Sequence, residues 1–170
     1  MRFAYADPPY IGNARRHYRK HADYAGEVDH RVLIKTLESE YDGWALSASM
    51  KSLPLVMKLC PDDVLTLAWV KPIAPPLGDH RHYSWEPVIL RSLRRPAGYI
   101  KTHLVLSPPQ FTFRPKPESH VIGEKPEGFA RWVFQSAGLL PFDEVDDLFP
   151  GSGAVGRAWA KWRVDTMAVN

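Results

Sequence analysis

Four consecutive residues near the amino terminus, Asp7, Pro8, Pro9 and Tyr10, combine a carboxylate, two rigid prolines and an aromatic ring. Proline fixes φ at about −65°, so the Asp7 carboxylate and the Pro8 carbonyl are preorganised hydrogen-bond acceptors. An exocyclic amine on adenine or cytosine is a poor nucleophile, because its lone pair is delocalised into the ring. Acceptors that hold the amine hydrogens localise that lone pair, and the Tyr10 ring offers a face for an unstacked base. The tetrapeptide is therefore a candidate catalytic site.

A second group of candidate residues lies about 140 residues further on, in a glycine-rich turn between an apolar strand and a helix. A turn of this kind lets a cofactor approach backbone N–H groups. Alone it is a weak signal, because small glycine turns are also common connectors. Beside the tetrapeptide it predicts a site for a sulfonium methyl donor, S-adenosylmethionine (SAM). The predicted cofactor-binding residues in this segment are Asp147, Phe149, Gly151, Ser152 and Gly153.

Weaker signals come from a lysine and from three histidines. Two interpretations of Lys125 stay open: it orients the cofactor carboxylate or a phosphate, or it is an exposed loop residue before a proline. His80, His82 and His120 lack a cysteine partner and helical spacing, so no metal site is predicted.

Basic residues cluster soon after the tetrapeptide. Arg15, Arg16, Arg19 and Lys20 alternate with histidines and tyrosines, a pattern that suits a loop tracking a nucleic-acid backbone while rings stack on bases. The alternative is a solvated loop. We predict that these four residues contact nucleic acid.

The elements that must position these residues alternate along the chain between strand-like and helix-like patterns. This alternation predicts an α/β fold with a parallel sheet. Strands are expected at residues 2–6, 43–46, 64–70, 99–106 and 145–149, and helices at 29–39, 53–59, 85–93, 129–137 and 155–162. Asp29 is a candidate cap of the first helix, with apolar residues at helical spacing behind it, and Glu86 is interpreted as a helix-capping acid in preference to a catalytic one.

The whole-chain composition is that of an ordinary globular domain, with 170 residues, 45% apolar and 24% charged. We predict one domain over residues 1–170. No apolar run approaches the roughly 20 residues of a spanning helix, the start of the chain does not read as a signal peptide, and the single Cys60 forms no internal disulfide. These features predict a cytoplasmic protein with no membrane partner, and the net charge of +3 favours an anionic partner only mildly.

Together, the DPPY and DLFPGSG segments resemble the catalytic and cofactor motifs of SAM-dependent amino-methyltransferases that act on adenine N6 or cytosine N4 of DNA. Their order along the chain resembles the permuted, beta-type class found in bacteria and phages. The resemblance implies a permuted Rossmann-like fold, SAM as cofactor, DNA rather than RNA as partner, and a bacterial or phage-infected cytoplasm. DPPY is more typical of adenine enzymes, although cytosine stays open.

The middle of the chain matches this class more loosely. Trp69, Lys71, residues 86–90 in a helix, and residues 124–126 stand where the class has its lesser motifs. Two departures stand out. The class normally continues past the glycine turn through two strands, the first ending in a ribose-binding acid, for which Asp165 is the late candidate here; and the segments between motifs are short for a target-recognition domain. A reduced sheet of about five mostly parallel strands is expected.

Two alternatives to an active, self-contained enzyme stay open. One is a catalytically inactive nucleic-acid-binding protein that keeps the methyltransferase fold. The other is a subunit completed by a homologous or identical chain, such as a homodimer formed through the sheet edge that missing strands would leave.

Overall fold

The computed structural model describes residues 1–9, 27–72, 84–106 and 124–169. Within these ranges the chain forms six strands and four helices. The strands are β1 (Arg2–Ala6), β2 (Gly43–Ser47), β3 (Leu65–Val70), β4 (Trp85–Ser92), β5 (His103–Val105) and β6 (Glu144–Asp147). The helices are α1 (His30–Glu40), α2 (Leu53–Met57), α3 (Glu127–Ser136) and α4 (Ala154–Val169).

The described strands form one mixed sheet in the order β5-β3-β4-β2-β1-β6. β1 lies parallel to both of its neighbours, β2 and β6. β4 runs antiparallel to β2 and β3, while β5 is parallel to β3. The predicted α/β fold is confirmed, with six strands in place of about five.

Both faces of the sheet are covered by helices. Successive side chains of a strand point to opposite faces, and in β1 Phe3 and Tyr5 join the core beneath α3 and α4, whereas Ala4 and Ala6 join the core beneath α1 and α2. All four side chains are buried. β1 is therefore held from both sides, which fixes the point at which the chain leaves the sheet.

The helix predicted at residues 29–39 is confirmed as α1, one residue later at each end. Asp29 caps it, since its carboxylate accepts hydrogen bonds from the backbone N–H groups of Arg31 and Val32, which would otherwise lack partners in the first turn.

The helix predicted at residues 85–93 is wrong, because this segment forms β4. Val88, Ile89 and Leu90 are all buried, since β4 lies inside the sheet between β2 and β3. A strand covered on both faces has a continuous apolar run, which periodicity cannot distinguish from a buried helix. The prediction that Glu86 caps a helix fails with it.

β1 is found with its predicted ends, and the remaining predicted elements are found with shifted ends. The strand predicted at residues 99–106 is limited to His103–Val105, and the last helix extends well past residue 162 to Val169. No helix in the described part of the chain is long and apolar enough to cross a membrane.

Candidate active site at the carboxyl ends of β1 and β6

The two sequence motifs leave the sheet side by side. In the parallel pairing of β1 and β6, Tyr5 is opposite Asp147, and the Leu148 N–H donates to the Tyr5 carbonyl at 2.9 Å. Asp7 and the glycine turn each follow within a few residues of this pairing. Parallel strands end at the same sheet edge, which is where α/β proteins bind ligands. Residues about 140 positions apart therefore lie at one edge of the sheet.

Asp7 lies just beyond the end of β1, with its side chain 22% exposed. One carboxylate oxygen, Oδ2, accepts a hydrogen bond from Lys125 Nζ at 2.5 Å. Pro8 is buried behind it and Pro9 is half-buried, so the backbone after β1 is anchored. Tyr10 and the basic residues Arg15, Arg16, Arg19 and Lys20 lie outside the described residues.

Burial raises the pKa of Asp7 above its ordinary value of 3.8. The Lys125 ammonium opposes this increase both by its charge and by its hydrogen bond, whereas the Glu86 carboxylate adds to it. The net direction is upward because desolvation disfavours the charged form more than one lysine compensates. The carboxylate is thus a stronger proton acceptor than an ordinary surface aspartate.

A second, half-buried ion pair lies next to Asp7. Lys71, just after β3, pairs with Glu86 of β4, and its ammonium lies 4.5 Å from the centroid of the Trp69 ring. Lys125 approaches the same Trp69 ring at 5.9 Å. Lys71, Lys125 and Glu86 thus lie close together at the carboxyl edge of the sheet. Their charges shift the pKa of Asp7, which the two lysines lower and Glu86 raises.

The glycine turn between β6 and α4 has a backbone that favours glycine. Gly151 and Gly153 have φ of +48° and +74°, in the left-handed region where other residues are strained. A Cβ on Gly151 would meet only the Phe149 carbonyl oxygen, at 3.9 Å, so among the described residues the backbone here is open to a ligand. The turn leads directly into α4, whose amino terminus carries a partial positive charge.

Asp147 ends β6 and supports the start of this turn. Its carboxylate accepts a hydrogen bond from the Phe149 N–H at 3.3 Å. Burial raises the pKa of Asp147, the Phe149 N–H opposes that increase, and the nearby Asp7 carboxylate adds to it. The two aspartates thus influence each other across the neighbouring ends of β1 and β6.

Ser152 connects the glycine turn to the segment that precedes α3. Its hydroxyl donates to Glu124 at 3.2 Å, and the Arg157 guanidinium donates to the Ser152 carbonyl at 2.6 Å and to Glu124 at 3.4 Å. The turn is therefore fixed by side chains from two other parts of the sequence.

Several contributors to the site were not identified as such from sequence. Tyr5 and Ser47 form a buried hydrogen bond of 2.9 Å between the ends of β1 and β2, and burial raises the pKa of Tyr5 well above its ordinary value. Arg157 lies one helical turn after Gly153, a spacing that would have indicated a contact with the turn. Tyr5 and Ser47 lie within strands, where the sequence pattern indicates only packing in the core.

Asp165 does not lie where a ribose-binding acid was expected. It is on α4, paired with Arg131 of α3, and about 17 Å along the helix axis from Ala154. A 16-residue helix carries it away from the glycine turn, so the expectation is wrong. No group of three His, Cys, Asp or Glu suited to a metal ion occurs among the described residues.

No family model matches the chain, and no curated protein sequence matches it. Solved structures do. A complex of M1.HpyAVI with SAM superposes with a TM-score of 0.61 at 18% identity, over 95% of this chain and 78% of that one. The chain shares the fold of M1.HpyAVI. A second structure of M1.HpyAVI gives a TM-score of 0.60 at 15% identity, over 95% of this chain and 76% of that one.

Proposed function

We propose that this chain is a SAM-dependent methyltransferase that acts on the exocyclic amino group of a base in DNA, adenine N6 in preference to cytosine N4. The observation that carries the proposal is the meeting of Asp7 and the glycine turn at the neighbouring carboxyl ends of β1 and β6. An amine-binding acceptor and a cofactor-binding turn need this proximity for methyl transfer.

The residues of the turn suit SAM. The open backbone at Gly151 and the amino terminus of α4 would accept the polar end of the cofactor. Asp147, Phe149, Ser152 and Gly153 are the other residues that would hold it. Bound SAM supplies an electrophilic methyl group, so that the amine nitrogen gains a bond to carbon while the carbon–sulfur bond breaks and its electron pair stays on sulfur.

Asp7 and the Pro8 carbonyl act on the amine. Both accept hydrogen bonds from its N–H groups, which localises the lone pair on nitrogen and orients it. The methylated nitrogen must then lose one proton. The Asp7 carboxylate is the acceptor in this proposal, because its pKa is raised and its partial exposure lets the proton pass to solvent.

DNA as the substrate is supported by the motif resemblance, and SAM as the cofactor is supported by the structural neighbour M1.HpyAVI, which was solved in complex with SAM. The Tyr10 ring would stack on the target base, and Arg15, Arg16, Arg19 and Lys20 would contact the phosphate backbone.

Transfer of a labelled methyl group from SAM to unmodified DNA tests this function, followed by nucleoside analysis for N6-methyladenine and N4-methylcytosine. We expect Asp7→Asn to lower kcat on the order of 10²–10³-fold, as loss of one preorganised polar group does, with SAM affinity kept. Asp62→Asn, at an exposed aspartate, is the matched control and should transfer like the parent.

Two results would reject the assignment. A parent protein that binds DNA but neither binds SAM nor transfers a methyl group would favour the inactive binding protein. An Asp7→Asn variant as active as the parent would remove Asp7 from the reaction even if methylation itself occurred.

A further inference from the structure

Two adjacent residues, Glu124 and Lys125, connect the two halves of the site. Lys125 bonds Asp7 after β1, whereas Glu124 bonds Ser152 in the glycine turn after β6. The segment before α3 thus touches both strand ends at once.

Lys125 is only 7% exposed at its side chain, and a buried lysine needs compensating partners. It also contributes to how Asp7 titrates. Glu86 of β4 raises the pKa of Asp7, and Lys71 after β3 lowers it. Asp7 in turn raises the pKa of Asp147 of β6 and of the Tyr5 hydroxyl of β1. Lys71 is already paired with Glu86.

We propose that Lys125 is a positioning residue: its ammonium holds Oδ2 of the Asp7 carboxylate, which directs Oδ1 toward the amine of the target base. The inference rests on the proposed function, and it assigns Lys125 to the target half of the site, not to the cofactor. Asp7 must be ionised to accept the amine hydrogens. Without the Lys125 charge, burial and the Glu86 carboxylate would favour its protonated form, which cannot serve as that acceptor.

The test compares three variants. Lys125→Gln removes the charge but keeps a hydrogen-bonding head, and Lys125→Arg keeps the charge. Lys161→Met is the control, at an exposed lysine of α4 that pairs with Glu127 at 3.1 Å. Three quantities are measured: the titration of the Asp7 carboxyl carbon by NMR, assigned with Asp7→Asn; the pH profile of kcat; and the SAM dissociation constant by calorimetry.

In Lys125→Gln we expect the Asp7 titration and the acidic limb of kcat to move together to higher pH. Each unit of that movement lowers the rate at a fixed acidic pH about tenfold. The SAM dissociation constant should stay within about threefold of the parent value, because the proposal gives Lys125 no contact with the cofactor. Lys125→Arg should restore the acidic limb, and Lys161→Met should match the parent.

An unchanged Asp7 titration in Lys125→Gln would overturn the proposal, as would a SAM dissociation constant raised about tenfold or more with an unchanged acidic limb, the result expected of a cofactor ligand. If Lys125→Gln does not fold, the ammonium ¹⁵N signal of Lys125 in the parent decides: identical signals in the parent and in Asp7→Asn would refute the pairing. A parent that transfers no methyl group refutes the proposed function instead, while the NMR titration still reports on Lys125 and Asp7.

Discussion

Asp7 and Asp143 lie at opposite ends of the strands of the sheet, and their carboxylates differ in the number of hydrogen-bond donors around them. Asp143, just before β6, is fully buried, and its carboxylate accepts hydrogen bonds from the Met1 ammonium at 2.8 Å, Arg94 at 2.5 Å and the Leu140 N–H at 2.7 Å. Asp7 is 22% exposed and has Lys125 as its ion-pair partner among the described residues.

The pKa directions follow from this difference. Burial alone would raise the pKa of Asp143, but the hydrogen bonds from Arg94, the Met1 ammonium and the Leu140 N–H lower it below 3.8. Burial raises the pKa of Asp7, and one lysine does not reverse the change. A carboxylate with saturated acceptors stabilises the fold, whereas one with spare acceptor capacity can take a ligand's hydrogens.

The largest expected effect is on folding. Asp143→Asn leaves Arg94 and the Met1 ammonium without their buried counter-charge and should lower the free energy of unfolding by about 3–5 kcal/mol. Asp7→Asn also leaves the buried Lys125 without its counter-charge. It should nevertheless cost less, because it breaks one ion pair instead of the two that Asp143 makes and removes a carboxylate whose burial disfavours the charged form. Urea denaturation of both variants measures this difference.

Activity should rank the two variants the other way. Per folded molecule, Asp143→Asn should methylate DNA like the parent. If Asp7→Asn proved the more destabilised variant, the contrast between a structural and a functional aspartate would not hold.

Two glycines with positive φ, Gly138 and Gly151, allow a second comparison in which the expected loss of stability is smaller. An alanine at Gly138, near Asp143, would have φ +65° and a Cβ only 2.7 Å from the Arg95 carbonyl oxygen. The left-handed strain is about 1–2 kcal/mol, and the backbone clash adds to it. Gly151→Ala carries the strain without the clash.

We therefore expect Gly138→Ala to lose more stability than Gly151→Ala, as read from thermal unfolding, and only Gly151→Ala to weaken SAM binding in calorimetry. Gly98→Ala is the control, because an added Cβ there would meet no non-neighbouring atom of the described residues within 4 Å, and it should change stability by less than about 0.5 kcal/mol. Equal loss of SAM binding in Gly138→Ala and Gly151→Ala would mean that the turn has no special role.

The smallest expected effect is a difference in pH dependence. The lowered pKa of Asp143 stabilises the fold above pH 3.8, and this contribution disappears as pH falls through the folded value. The raised pKa of Asp7 affects stability in the opposite direction: its contribution to the free energy of unfolding falls as pH rises from 3.8 to the pKa of the folded state.

Stability measured by urea denaturation from pH 3 to pH 7 should show both signs, at about 1.4 kcal/mol per unit of pKa difference. The loss of unfolding free energy in Asp143→Asn should become smaller toward acid pH. The unfolding free energy of Asp7→Asn, relative to that of the parent, should increase as pH rises. A deficit of Asp143→Asn that is constant across this range would contradict the ion-pair explanation.

Local sequence patterns predicted two elements that have clear signals at their ends. β1 was predicted with its observed ends, because Pro8 and Pro9 stop the strand, and α1 was predicted from its Asp29 cap and apolar spacing. β4 was missed because a strand buried on both faces has no alternation to detect. The predicted functional roles of Asp7, Asp147, Phe149, Gly151, Ser152, Gly153 and Lys125 remain predictions.

The sequence by itself determined the chemical types at the site: a carboxylate on a rigid proline segment, and a glycine turn between a strand and a helix. The tertiary structure alone decided that β6 pairs beside β1 and that Lys125 bonds Asp7 across 118 positions. It also decided that the buried Asp143 carboxylate meets both Arg94 and the Met1 ammonium. Strand pairing and the burial of charges depend on contacts between distant segments, and no local periodicity encodes which segments meet.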